Sequence, residues 1–460
     1  MLFNSLSFLL IFAPIVYTLY WTRRTLDGKK LVLAGSSYVF YGVWSWKFAA
    51  LMLATTSVDY FTAQRIEGAP TERGRRAWLA ISMVANLGVL AVFKYLNFFI
   101  ESVNTVAGQP LLPVLAIVLP IGISFYTFES MSYTIDVFRR RKRALVRFLD
   151  YAHFVTMFPR LVAGPIVRYN ELADQLKTFA TRLDPAVVME GAKFLTIGMA
   201  KKLLIADLIA RHLVDGAFPR AAELGACEAW GAALGYTAQL YFDFSGYSDM
   251  AVGLALWLGL RLPRNFELPY RSRDISEFWR RWHISLSSWL RDYLFISLGG
   301  SRGSAGRTLR NLALTMVLGG LWHGANWTFV LWGAYHGLAL VVHRVARAQR
   351  PTAGWPAPLG IAVTFAVVVV GWVLFRAATV AEATTMLRAM AGLHGAGAAW
   401  AAANARWLAV LVVVLGVSFA RDTYDVPTPR GVLGAIALGL LLVVCLTRLS
   451  QPSPFLYFQF

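Results

Sequence analysis

The stretch Gly320-Leu321-Trp322-His323-Gly324-Ala325-Asn326-Trp327 interrupts a largely apolar run from Leu312 to Leu340. A hydrocarbon core about 30 Å thick needs roughly 20 apolar residues to cross it as a helix. Backbone polar groups left unpaired in that layer cost several kcal/mol each. An imidazole between two indoles, with Gly324 and Asn326 loosening the helix, is therefore an expensive feature. Ionisable groups at such depth usually face an internal cavity and carry function. The competing reading is a structural histidine donating to a neighbouring carbonyl.

Working outward, the whole chain has the composition of a polytopic membrane protein. Of its 460 residues, 57% are hydrophobic and 15% charged, with mean hydropathy +0.54. Many of the 16 tryptophans lie near the ends of apolar runs, where indole suits the headgroup layer. The net charge of +19 sits in short loops between apolar spans, which fits the positive-inside bias and anionic lipid better than nucleic acid. The two cysteines, Cys227 and Cys445, are far apart, and no Cys/His spacing suggests a disulfide framework or a metal site. Met1 to Tyr20 lacks a basic leader, so it reads as a retained first helix.

Loop charges set an expected topology. Arg23, Arg24, Lys29 and Lys30 form one basic loop, Arg65, Arg73, Arg75 and Arg76 the next, and Arg139 to Arg143 the densest. The chain from Leu31 to Ala63 then crosses twice, turning at Trp44-Ser45-Trp46-Lys47. Trp78 to Ile100 leads outward and Pro113 to Val137 returns, with the N-terminus outside. Phe158-Pro159-Arg160 and Gly164-Pro165 predict a broken or re-entrant segment. Asn170 to Thr181 predicts an amphipathic helix on the inner surface. Further spans are expected near 186–210, 229–260, 311–345, 357–375, 406–420 and 431–447, with a re-entrant candidate at 283–299. The expectation is an all-α polytopic protein of about 11 or 12 transmembrane or re-entrant helices. It forms one integral-membrane domain over 1–460, most distinctive over about 120–345.

Three polar clusters accompany His323. Glu277-Phe278-Trp279-Arg280-Arg281-Trp282-His283 is a basic aromatic stretch in which Arg280 and Arg281 suit an anionic, phosphate-bearing donor. An interfacial anchor is the equal alternative. Tyr236, Gln239, Asp243 and Tyr247 share one helix face, as the lining of a wet tunnel or as helix-to-helix hydrogen bonding. Tyr126, Glu129, Tyr133 and Asp136 favour a structural role. A histidine beside a cavity suits general-base work, because its ordinary pKa of about 6.5 lies near neutrality. His336 follows His323 on the next helix and is a candidate for the same cavity. No serine elbow, zinc-protease motif, Walker loop or Rossmann fingerprint occurs in a suitable context.

Together these segments resemble the membrane-bound O-acyltransferase family, and within it the bacterial branch that O-acetylates alginate. The residues that carry the resemblance are Phe158 to Pro165, Tyr241-Phe242-Asp243-Phe244-Ser245-Gly246-Tyr247-Ser248-Asp249-Met250, Glu277 to Trp289, Gly320 to Trp327 and the ending Pro454 to Phe460. The family's intramembrane histidine maps onto His323 and its second polar position onto His283. The resemblance implies helices ringed about a central tunnel and acetyl-CoA as the donor from the cytoplasmic side; no bound cofactor and no metal are expected. It also implies an exported polysaccharide acceptor and a periplasmic hydrolase-like partner protein, at the bacterial inner membrane. His323 would remove the proton from the acceptor or relay the acetyl group itself, Trp322, Asn326 and Trp327 would position the thioester, Asp243 would hold an imidazole or a polar neighbour, and His283 would line the donor entrance. Two alternatives stay open: a carrier-protein-dependent acyl or D-alanyl transferase of the same fold, and a transporter without covalent chemistry.

Overall fold

The computed structural model describes residues 3–162, 164–179, 182–349, 355–451, 453, 455 and 456. Ala163, the last two residues of the 170–181 segment, and Pro454 with 457–460 of the C-terminal motif lie outside the described residues. Every regular element among the described residues is a helix. The chain divides into two compact units, residues 1–195 with 250–263, and 196–249 with 264–460.

In the first unit, helices Phe8–Thr22, Leu26–Gly42, Trp46–Gly68, Glu72–Ala107 and Ile123–Phe138 follow one another. Their outer faces are apolar: Leu10, Phe61 and Val84 are exposed, a pattern suited to lipid and costly in water. Their inner faces carry polar groups, some of them paired across helices. Asp59 is fully buried and accepts from Ser82 Oγ at 2.6 Å and Asn86 Nδ2 at 2.8 Å. Such polar groups join helices where lipid and core are equally apolar. Tyr17, Tyr20 and Trp21 donate to the carbonyls of Leu254, Leu258 and Trp257 at 2.6, 2.9 and 2.9 Å. They satisfy acceptors that a helix end leaves without partners.

The returning span begins later than its apolar pattern suggests. Helix starts only at Ile123, and residues 113–120 have no helical structure. Pro113 and Pro120 bracket this segment. Asn97 bonds both N–H and C=O of Leu115, and Asn104 both of Leu112. Two asparagines seven residues apart on one helix face thus replace the missing backbone partners. At Gly122, φ is +75° and a Cβ would stand 2.6 Å from the Leu161 carbonyl oxygen. The break at Phe158–Leu161 is held by a buried ion pair of Arg160 with Glu129, which also accepts from the Val167 N–H at 3.2 Å. Glu129 therefore has the structural role expected of its cluster.

In the second unit, Ala305–His323 and Trp327–Gln349 form a tight antiparallel hairpin. Gly333 and Gly337 are spaced as small residues at a close helix crossing. A Cβ on Gly320 would lie 2.2 Å from the Phe329 carbonyl oxygen, and one on Gly333 would lie 2.4 Å from that of Met316. Helices Ala357–Arg376, Val380–Met390, Ala405–Ala420 and Gly431–Leu446 follow. By length and apolarity, Glu72–Ala107, Trp327–Gln349 and Ala357–Arg376 suffice to cross a bilayer, and three shorter helices are also apolar. Helix Ala226–Trp257 is about 48 Å long at 1.5 Å per residue. Its carboxylates Asp243 and Asp249 reduce its apolarity yet are paired inside the protein.

Candidate functional site

His323 is the last residue of its helix, and the chain breaks there for a steric reason. The Phe329 ring occupies the space beside Gly324, where a Cβ would come within 2.1 Å. The break leaves the imidazole buried at 5% exposure inside an aromatic box. Ring centroids of Trp322, Trp332 and Phe375 lie 5.1, 5.1 and 5.2 Å away, all nearly perpendicular to it. His336 also packs against Trp332, its ring centroid 5.0 Å from that of the indole. It is fully buried, and neither ring nitrogen has a hydrogen-bond partner among the described residues. A Cβ on Gly371 would stand 2.5 Å from His336 Nε2, so only glycine lets helix Ala357–Arg376 approach so closely.

His283 also packs against Trp322, with 6.3 Å between ring centroids. It precedes the helix Ile284–Trp289 in a left-handed conformation, φ +42°. A side chain held in that region marks a position the surrounding structure over-determines. The determinant is Asn265. Its backbone carbonyl accepts from the Ile284 N–H at 2.9 Å, and its Oδ1 accepts from the N–H and the Oγ of Ser285 at 3.2 and 2.8 Å. Because an N–H can only donate, the amide oxygen is fixed toward this turn. Asn265 Nδ2 is left to donate to Ser248 Oγ at 3.2 Å. His283 Nδ1, 3.2 Å from that same Oδ1, must then carry the proton. Its Nε2 is the lone-pair nitrogen, buried with no partner among the described residues. Replacing Asn265 by alanine should free both tautomer and ring. Turnover should fall roughly tenfold, the order expected for the loss of one oriented hydrogen bond. Steady-state rates of the variant beside wild type check this.

The other sequence-predicted residues divide by location. Arg280 is exposed and bonds Ser276 Oγ at 3.0 Å, whereas Arg281 pairs with Glu277 at 2.8 Å. Arg281 joins Arg271 and Arg273 around a pocket of about 410 Å³ floored by Ala357, Pro358 and Ile361. Asn326 Oδ1 caps the next helix through the Thr328 N–H at 3.0 Å, and its Nδ2 donates to the Ala378 carbonyl at 2.9 Å. Its amide thus ties the break in place. Trp327 is 54% exposed, on the outside of the hairpin. Asp243 is buried against Lys202 Nζ at 2.5 Å and accepts from the Leu456 N–H at 3.1 Å. Lys202 also holds Asp207 at 2.7 Å. On the same face, Tyr247 stacks near Phe455, 4.4 Å between centroids, and Gln239 Oε1 is buried with no partner among the described residues. Sequence reasoning missed Asn265 and Lys202. Asn265 stands two residues after Pro263, and Lys202 forms with Lys201 a basic pair inside a largely apolar run.

Two buried histidines that both pack against Trp322 equip a site for acid–base transfer, and a separate arginine-lined pocket at the start of helix Ala357–Arg376 suits an anion. The family profile of the membrane-bound O-acyltransferases matches residues 76–379 and so takes in His283 and His323. A probable alginate O-acetylase AlgI from Azotobacter vinelandii is 41% identical over 510 aligned positions, covering 100% of both chains. Its counterpart from Pseudomonas aeruginosa is 47% identical over 400, covering 85% of this chain and 75% of its own. A peptidoglycan O-acetyltransferase from Helicobacter pylori is 37% identical over 426, covering 86% and 80%. The chain belongs to the membrane-bound O-acyltransferase family. It is a polytopic membrane enzyme, an O-acyltransferase.

Proposed function

We propose that this enzyme takes an acetyl group from cytoplasmic acetyl-CoA and passes it across the bacterial inner membrane for O-acetylation of an exported polysaccharide. A periplasmic hydrolase-like protein completes delivery. The carrying observation is that His283 and His323 are both buried and both pack against Trp322. The names of its relatives, which act on alginate or peptidoglycan, support a glycan acceptor. In the transfer, His323 accepts the proton of an attacking hydroxyl as its oxygen bonds to the acetyl carbonyl carbon. The C–S bond then breaks, and the imidazolium returns the proton to the departing thiolate, giving ester and free coenzyme A. His283, with Nε2 as acceptor, lines the donor side and hydrogen-bonds the incoming group.

Arg271, Arg273 and Arg281 hold the donor's phosphates, a task for which guanidinium groups are suited. The double change Arg271→Gln/Arg273→Gln should raise KM for acetyl-CoA roughly tenfold or more and leave kcat close to wild type, since the lost contacts are made equally in ground and transition states. Steady-state kinetics in nanodiscs test this. An unchanged KM would move the donor elsewhere, and wild-type indifference to free acetyl-CoA would favour a carrier-protein thioester.

A further inference from the structure

We infer that the first unit carries a binding site for the phosphate headgroup of an anionic phospholipid, separate from the acyl-transfer chemistry. The site is a pocket of about 420 Å³ lined by Arg75, Arg140, Arg141, Lys142, Arg143 and Glu67. Three of the arginines already have carboxylates in reach: Arg75 and Arg140 share Glu72, and Arg141 lies 3.6 Å from Asp136. Glu67 accepts from the Ala144 N–H and so closes the wall. Lys142 and Arg143 have no carboxylate within ion-pair distance among the described residues. The pocket is thus preset to attract a further anion.

The backbone singles out the same place. Arg140 follows the end of helix Ile123–Phe138 at φ +58°, with its N–H bonded to the Val137 carbonyl and that of Arg141 to Asp136. This is a helix-terminating turn in which glycine is the low-cost residue. Arginine there points to a demand for its charge. A lipid fits better than a soluble phosphate because exposed apolar side chains stand close in the chain. Val146, three residues after Arg143, is 84% exposed, and Phe61, about two turns before Gly68, is 64% exposed. Acyl chains would lie along these apolar faces while the headgroup reaches the cations.

The test is titration of short-chain phosphatidylglycerol into the purified full chain in an uncharged detergent, read by the thermal-unfolding midpoint. Glycerol 3-phosphate and short-chain phosphatidylcholine serve as comparison arms. Wild type should be stabilised by phosphatidylglycerol far more than by either. Lys142→Gln/Arg143→Gln should weaken the apparent affinity by roughly tenfold or more, as expected for two cations near an anionic headgroup. Arg140→Gly is the second variant: it relieves the backbone and should fold as well as wild type without lipid, yet respond less to phosphatidylglycerol. An equal response in all three proteins would overturn the site. Equal stabilisation by glycerol 3-phosphate would overturn the assignment to lipid.

Discussion

Replacing His323 by alanine is expected to lower acetyl transfer by about 10²- to 10⁴-fold, the contribution of a positioned general base. The amount of folded protein in the membrane should stay unchanged. The reason for this split lies in how the break is built. The turn is made by Gly324 fitting over Phe329 and by the Asn326 cap. The imidazole itself fills an aromatic box whose remaining walls, Trp322, Trp332 and Phe375, pack on elements outside the break. Loss of the ring should therefore cost chemistry before it costs assembly. Immunodetection of membrane protein alongside the transfer rate checks both halves. A variant that keeps its activity would remove His323 from the mechanism.

Replacing Lys202 by methionine should have the opposite signature, a loss of folded protein. Lys202 is 2% exposed and lies between Asp243 and Asp207, both within 2.7 Å. Removing one member of such a buried pair typically costs roughly 3–5 kcal/mol, because the remaining carboxylate keeps its desolvation penalty without a partner. Here two carboxylates would be left. Asp243→Asn should be milder, since an amide oxygen still accepts the Leu456 N–H. Thermal unfolding of detergent-purified variants, ranked by midpoint, measures the difference. If Lys202→Met melted with wild type, Asp243 would have to be freed from its structural role and considered for the tunnel.

This second case shows where sequence reading stops. The all-helical polytopic class follows from apolar runs and loop charge, signals that hold wherever backbone must bond to itself in lipid. The break at His323 was equally legible, because glycine and asparagine beside an imidazole have few other reasons to stand in an apolar span. Asp243 was legible as a buried carboxylate, but its partner Lys202 is 41 positions earlier in the chain, and a helix-face pattern reports only neighbours on one helix. Asn265 poses the same problem. Its meaning is a backbone oxygen and an amide placed against a turn some twenty residues later. The late start of the helix at Ile123 has a similar origin, since Asn97 and Asn104 bond a stretch whose composition alone suits a span. In each case the period of one element was readable and the tertiary partner was not.

The most direct test of the central claim is to incubate the purified chain in nanodiscs with acetyl-labelled acetyl-CoA and follow release of free thiol. Wild type and His323→Ala are run side by side, with the proposed glycan acceptor and the proposed periplasmic partner present. The account predicts thiol release and acetyl transfer by wild type, reduced by at least about 10²-fold in the variant. Equal rates in the two proteins, or none in either, would contradict it.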